Sequence, residues 1–190
     1  KKLAFADRAK FYADPQVEKN LPIAELISKP YAKWQAKRID MTRAALRVPA
    51  GDPRLARGDT IYLTAADKDR NVVSLIQSNY YGFGSGHVPG NVGFAMQNRG
   101  TLFAMDEKHH NRLEPNKRPF HTIIPAMVTR DGKPFLSFGV MGGDMQPQGH
   151  AQVLVNIIDH GMNVQAASDA ARVRHDGSDT PTGDIMSNGG

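Results

Sequence analysis

The chain has 190 residues, 40% of them hydrophobic and 23% charged, the composition of an ordinary globular protein with one substantial core or two small ones. A formal net charge of +5 makes nucleic acid worth testing as a partner, and the absence of cysteine excludes disulfides, thiol catalysis and thiolate metal sites without fixing the compartment. No run is long and apolar enough for a membrane-spanning helix. No apolar N-terminal stretch resembles a signal peptide either, and the chain opens without Met on what reads as mid-protein sequence, so cytoplasmic and periplasmic locations both stand.

Residues 1 to about 47 read as helical. Leu3, Phe5, Ala6, Ala9 and Phe11 outline a short apolar face that Asp14-Pro15 stops. A second short segment, LPIAELISK, ends at Pro30, and a longer helix, YAKWQAKRIDMTRAAL, follows. Most of the excess charge sits in this region at helical spacing. A solvated face, or a surface meeting another part of a larger protein, is expected over a nucleic-acid patch, because the other basic residues are mixed with acids and no DNA- or RNA-binding motif follows. VPAGDPRLARGD then reads as an exposed linker that proteases or a self-cleaving site can reach.

From Thr60 the pattern changes to strands. TIYLTAAD and NVVSLIQS flank the turn Lys68-Asp69-Arg70 and predict a hairpin. A glycine-rich loop, YYGFGSGHVPGN, is followed by GFAMQNRG and a polar excursion from Asp106 to Lys117. HTIIPAMVT and PFLSFGVM predict a second hairpin, turning at 130–133. Gly142-Gly143-Asp144 then leads into a helix, AQVLVNIIDH, closed by Gly161, and VQAASDAARV is a last short helix. Strands followed by helices predict an α+β layered domain.

Thr60 has two readings, a strand-initiating residue or a nucleophile. The second requires cleavage before it, since a freed α-amino group on the same residue can act as its base, and Gly58-Asp59 supplies local flexibility for a strained scissile bond. Gly142-Gly143 likewise reads as an oxyanion-binding pair of backbone N–H groups or as a tight turn with Asp144 as helix cap. Gly82-Phe83-Gly84-Ser85-Gly86 lacks the Gly-Lys-Ser/Thr ending of a phosphate loop and reads instead as a mobile loop beside a cleft. The seven histidines have no clear metal-ligand spacing. His109-His110 is expected to be solvated, and His121 to line a pocket or close a strand.

Taken together, ADRAKFYADP, DTIYLTAADKDRN, the FGSG loop, NRG, PNKRPFHTIIP and GVMGGDMQPQGH resemble the γ-glutamyltransferase family of N-terminal-nucleophile hydrolases, in order and approximate spacing over nearly the whole chain. The resemblance implies an αββα sandwich shared by two subunits cut from one precursor. Residues 1–59 resemble the end of the large subunit and residues 60–190 most of the small, catalytic one, so the chain is expected to be truncated at both ends. Thr60 resembles the nucleophile and self-cleavage residue, with the cut immediately after Asp59. Ser78 takes the place of the hydroxyl that hydrogen-bonds the nucleophile, and Gly142 and Gly143 match the oxyanion-hole pair. At substrate-binding positions Tyr80 stands where asparagine is usual, Arg99 where glutamine is common, Leu102 where an aspartate grips the substrate ammonium, and His121-Thr122 where two serines hold its carboxylate.

The implied activity is acyl transfer or hydrolysis of γ-glutamyl or related amides through an acyl-enzyme, with no metal or organic cofactor. The implied partners are the rest of the large subunit and a small-molecule amide, with no nucleic acid and no membrane; a homo-oligomer stays open. A cephalosporin-acylase-like amidase is the close alternative, and a non-catalytic assembly fragment the distant one.

Overall fold

The computed structural model describes residues 2–43 and 58–175. Helices and strands both occur, making an α+β protein, and they sort into two compact units. The first is built from residues 2–43 and Arg99–His121, the second from residues 58–98 and Thr122–Arg174. The first unit therefore draws on both sides of the Asp59–Thr60 bond.

In the first unit, helix α1 spans Lys2–Phe11 and buries Phe5, Arg8 and Ala9. Phe5 and Ala9 lie one turn apart, as the apolar spacing predicts. Arg8 joins them because its guanidinium stacks 3.9 Å from the Phe5 ring centre and 5.1 Å from that of Phe120. The chain then turns at Asp14, whose carbonyl accepts from the amides of Val17 and Glu18. Helix α2 is a single turn, Ile23–Leu26, and α3 runs Lys29–Ala36.

Helix α3 departs from expectation at both ends. Pro30 lies inside its first turn, where a missing N–H costs nothing, and the Ser28 hydroxyl caps it by accepting from the Tyr31 amide. It stops at Ala36 rather than running on, because Asp40 takes the amides of Thr42 and Arg43 and so offers the backbone a local alternative to helix. The end of the expected helix and nearly all of the expected linker, residues 44–57, lie outside the described residues.

The polar excursion is not solvated throughout. Asn111 is fully buried; its Nδ2 donates to the Leu102 carbonyl at 2.6 Å and its Oδ1 accepts from the Phe120 amide at 3.0 Å. Nor is His109-His110 simply solvated. His109 Nδ1 accepts from the Asn111 amide, and His110 Nδ1 lies 3.5 Å from Glu18. Polar side chains are buried here because backbone groups and carboxylates satisfy them.

In the second unit, β1 (Gly58–Ala66) pairs antiparallel with β2 (Val72–Tyr81), and β3 (Ala126–Arg130) with β4 (Lys133–Phe138). Asp67 closes the first turn by accepting from the amides of Asp69 and Asn71. The second turns through Asp131 and Gly132, both at positive φ as in a type I′ turn. Strand β3 starts later than predicted, after Pro125, which has no N–H to give a ladder. The glycine-rich loop is pinned, with both the amide and the hydroxyl of Ser85 donating to the Met96 carbonyl.

The two hairpins are joined by hydroxyls. Tyr62 Oη meets Ser74 and Ser137, each at 2.9 Å, and Ser74 Oγ donates to the Ala126 carbonyl. The opposite face of β1–β2, with Ile61, Leu63, Val73 and Leu75, is exposed. Helix α4 runs Met145–Ile158, starting six residues before its apolar run, and α5 (Val164–Asp169) is capped by Asn163. Among the described residues of this unit, Ile76, Tyr80, Val140, Val153 and Ala167 are buried and apolar.

Candidate active site

The β1–β2 ladder is regular from Ala66↔Val72 to Thr60↔Ser78, after which Asp59 faces Tyr80 and Gly58 faces Tyr81. One residue of β2, Asn79, is thus extra, and the bulge falls opposite the Asp59–Thr60 bond. That bond was expected in a flexible turn before the strand; it lies inside the strand, at its irregularity. Tyr80, buried at 2% exposure, has φ of +78°, which a bulky side chain adopts only under constraint.

The hairpin makes residues 18 apart in sequence into neighbours. Thr60 Oγ1 donates to Ser78 Oγ at 3.1 Å, and the Tyr80 amide donates to the same oxygen at 2.9 Å. Ser78 therefore fixes the Thr60 hydroxyl and the turned-back Tyr80 backbone together.

Gly142 and Gly143, between β4 and α4, have φ of +106° and +57°. These angles are open to glycine and strained for an L-residue. The two carbonyls accept from the amides of Met145 and Gln146, each at 3.0 Å, which commits them to the helix start. Asp144 occupies the N-cap position as expected but makes no side-chain capping bond, because its φ and ψ of −66° and −9° are already helical.

Two residues of this region were given no role from sequence. Gln146 is fully buried, and its Oε1 accepts from the Ile124 amide at 3.0 Å, fastening the segment after Thr122 to the first turn of α4. His150 Nε2 accepts from the Val140 amide at 3.2 Å, two residues before the glycine pair, with the Phe138 ring edge-on at 4.9 Å. Gln146, Gly149, His150 and Val153 form the buried side of α4. That spacing of three, four and seven residues is the signal for an inward helix face, hidden here because half of the face is polar.

Accepting from an amide requires an unprotonated Nε2, and burial holds the His150 pKa below the usual histidine value. The unfolded chain takes the proton more readily, near pH 6.5. The His150 contribution to stability is therefore complete above about pH 6.5 and lost as pH falls through the lower folded value. His109 and His121 shift the same way, both mainly through burial. Urea midpoints measured between pH 7.5 and about 5 should fall with acid, and less steeply in His150→Gln, whose amide oxygen keeps an acceptor without titrating. Equal slopes in the two proteins would remove His150 as a contributor.

Thr122 belongs to the second unit with Thr60, Ser78, Tyr80 and the glycine pair, and it is buried. Arg99 and His121 belong to the first unit. Arg99 lies in a 3-10 turn, Arg99–Leu102, at 1% exposure, and Leu102 beside it is also buried. His121 lines a cavity of about 500 Å³ with Tyr12, Leu21, Ile27, Arg118 and Phe120. Burial depresses its pKa, and the positive charges of Arg99 and Arg118 add to this. Among the described residues no group of three or more His, Asp or Glu is placed to hold a metal ion, and no helix is long and apolar enough to cross a membrane.

The family described as gamma-glutamyltranspeptidase matches residues 1–182. A glutathione hydrolase-like YwrD proenzyme of Bacillus subtilis is 42% identical over 166 residues, covering 87% of this chain and 30% of the relative. An oxamate amidohydrolase proenzyme of Klebsiella pneumoniae is 35% identical over 164 residues, 86% of this chain and 30% of its own length. Among solved structures, a cephalosporin acylase from Bacillus halodurans superposes with a TM-score of 0.78 at 45% identity, covering 93% of this chain and 31% of that one. The chain thus spans about 30% of the length of the relatives it matches. By extent of match and by identity, it belongs to the gamma-glutamyltranspeptidase family.

Proposed function

We propose that this chain carries the catalytic core of a self-processing threonine amidohydrolase or acyltransferase. Residues 1–59 are the end of its large subunit, and residues 60–190 the greater part of its small one. The observation that carries the reading is the Thr60–Ser78 hydroxyl pair, set at a bulge where the backbone opposite Asp59 is strained. Thr60 Oγ1 attacks the Asp59 carbonyl carbon, and the C–N bond breaks as the nitrogen takes a proton. Water then hydrolyses the resulting ester, leaving an Asp59 carboxylate and a free Thr60 α-amino group. That amine serves as base when Thr60 next attacks a substrate amide, and the amides of Gly142 and Gly143 receive the developing oxyanion. The acyl group passes from Thr60 to water or to an amine.

Tyr80, Arg99, His121 and Thr122 are assigned to substrate. Leu102 offers no charge to a substrate ammonium, while Arg99 and Thr122 offer donors to a carboxylate. The substrate class is therefore an amide whose acyl part carries a carboxylate, γ-glutamyl amides included. A cephalosporin-acylase-like amidase is the second reading, favoured by the match to such an acylase and by the same uncharged Leu102. The rest of the large subunit is the partner, completing an αββα sandwich. The exposed row of Ile61, Leu63, Val73 and Leu75 supports a further layer over β1–β2.

Intact mass of the natural full-length polypeptide and of its Thr60→Ala variant after incubation tests the reading. The native form should split between Asp59 and Thr60 and the variant should stay whole. Two folded, unsplit proteins would reject self-processing and favour an assembly role.

A further inference from the structure

We propose that, once the Asp59–Thr60 bond is broken, an ion-pair lattice centred on Asp14 and Glu18 is the joint that keeps the chain ending at Asp59 on the chain beginning at Thr60. This rests on the cleavage reading above. Its ground is the composition of the first unit, which folds residues 2–43 together with Arg99–His121. Cleavage turns every contact between those two segments from an internal contact into one between separate chains. The contacts then set a dissociation constant as well as a folding stability.

Charged contacts between the segments cluster at Asp14 and Glu18. The Arg118 guanidinium forks onto Asp14, with Nε 3.1 Å from Oδ2 and Nη2 2.9 Å from Oδ1, and the Arg118 amide adds a third bond to Oδ2 at 3.2 Å. Four residues on, Glu18 Oε1 receives Arg112 at 2.8 Å and Lys117 at 3.1 Å. The Lys117 ammonium also donates to the His110 carbonyl at 2.6 Å and reaches Glu114 at 3.3 Å. Both carboxylates thus come from before the cut and their cations from after it, paired across 104 and 99 positions of sequence.

The lattice differs from surface ion pairs, which contribute little. The Lys117 side chain has no exposure and that of Asp14 has 3%. The fork is bidentate, and the remaining carboxylate lone pairs are used, Asp14 Oδ1 also accepting from the Gln16 amide. Removing a cation strands a nearly buried carboxylate, so each half of the lattice should act as a unit. Its charge pattern also favours this register, which gives both carboxylates their cations.

The test is a double-mutant cycle on the natural full-length polypeptide. Asp14→Asn keeps an acceptor for the Gln16 amide while removing the charge, and Arg118→Gln removes the fork at a residue whose side chain is 60% exposed. Lys117→Met tests the Glu18 side. Intact mass reports cleavage, and size-exclusion chromatography in urea reports separation of the cleaved chains. Each single variant is expected to weaken chain association about tenfold or more. The Asp14→Asn/Arg118→Gln double variant should be little weaker than the worse single one. The same substitutions in uncleaved Thr60→Ala should leave the circular dichroism spectrum unchanged, separating loss of the joint from failure to fold. Cleaved variants that stay paired as tightly as the native protein would overturn the joint alone. A native protein that never splits would overturn the cleavage reading and the joint with it.

Discussion

Replacing Gly142 with alanine is expected to lower amide turnover by the natural full-length polypeptide about 10²–10³-fold in kcat, with KM changed less than about threefold. At φ of +106° an L-residue pays about 1–2 kcal/mol or more, and the added Cβ would stand 3.3 Å from Met145 Cβ, tighter than ordinary contact. The turn is expected to relieve both by rotating the peptide, which redirects the Gly142 N–H, the proposed oxyanion donor. An oxyanion exists only along the reaction path, so a misdirected donor costs kcat and leaves ground-state binding alone. Steady-state kinetics on an amide turned over by the native protein, with thermal melts as the folding control, decide the matter. A folded variant with native kcat would make the glycine pair a turn and nothing more. A lower melting temperature with unchanged kcat would say the same.

How much of this was legible depends on whether a residue's burial could be read from its own polarity. The hairpins were legible because β1 and β2 alternate, placing Thr60, Tyr62 and Ser78 on one face and Ile61, Leu63 and Leu75 on the other. Thr60 was marked in sequence by the strand start, Ser78 only by the family resemblance, and the register brings the two together; the Gly142-Gly143 turn follows from a strand that runs directly into a helix. The bulge at Asn79 and the turned-back Tyr80 were not legible, since nothing in Gln77-Ser78-Asn79-Tyr80 marks an extra residue.

The largest gap concerns buried polar side chains. Arg8, Asn111, Lys117, Gln146 and His150 are all buried, and by composition all belong outside. Each is held by a backbone group or carboxylate outside its own element or by a ring stacked on it, a pairing that polarity and periodicity do not encode. The shortened α3 is the opposite case. Its propensity predicts a long helix, and a single Asx-type turn at Asp40 ends that stretch.

Asn111 shows what such a residue is worth. Asn111→Ala should destabilise the protein by about 2–5 kcal/mol, read as a lower urea midpoint with little change in the denaturant slope. It leaves two buried main-chain groups, the Leu102 carbonyl and the Phe120 amide, without the side chain that satisfies both. Asn111→Asp is the sharper probe. It keeps an acceptor for Phe120 and sets a second oxygen against the Leu102 carbonyl, so the penalty should shrink as acid protonates the new carboxyl and makes it a donor. The consequence for activity differs from that at Gly142. The Arg99–Leu102 turn is held at its end by Asn111, so loosening it displaces Arg99 and Leu102 while Thr60, Ser78 and the glycine pair belong to the other unit. Folded Asn111→Ala protein should therefore bind substrate more weakly at near-native kcat, raising KM about tenfold. A variant that lost kcat and kept KM would place Arg99 outside substrate recognition, and an unchanged urea midpoint would mean that the excursion contributes nothing to holding the first unit together.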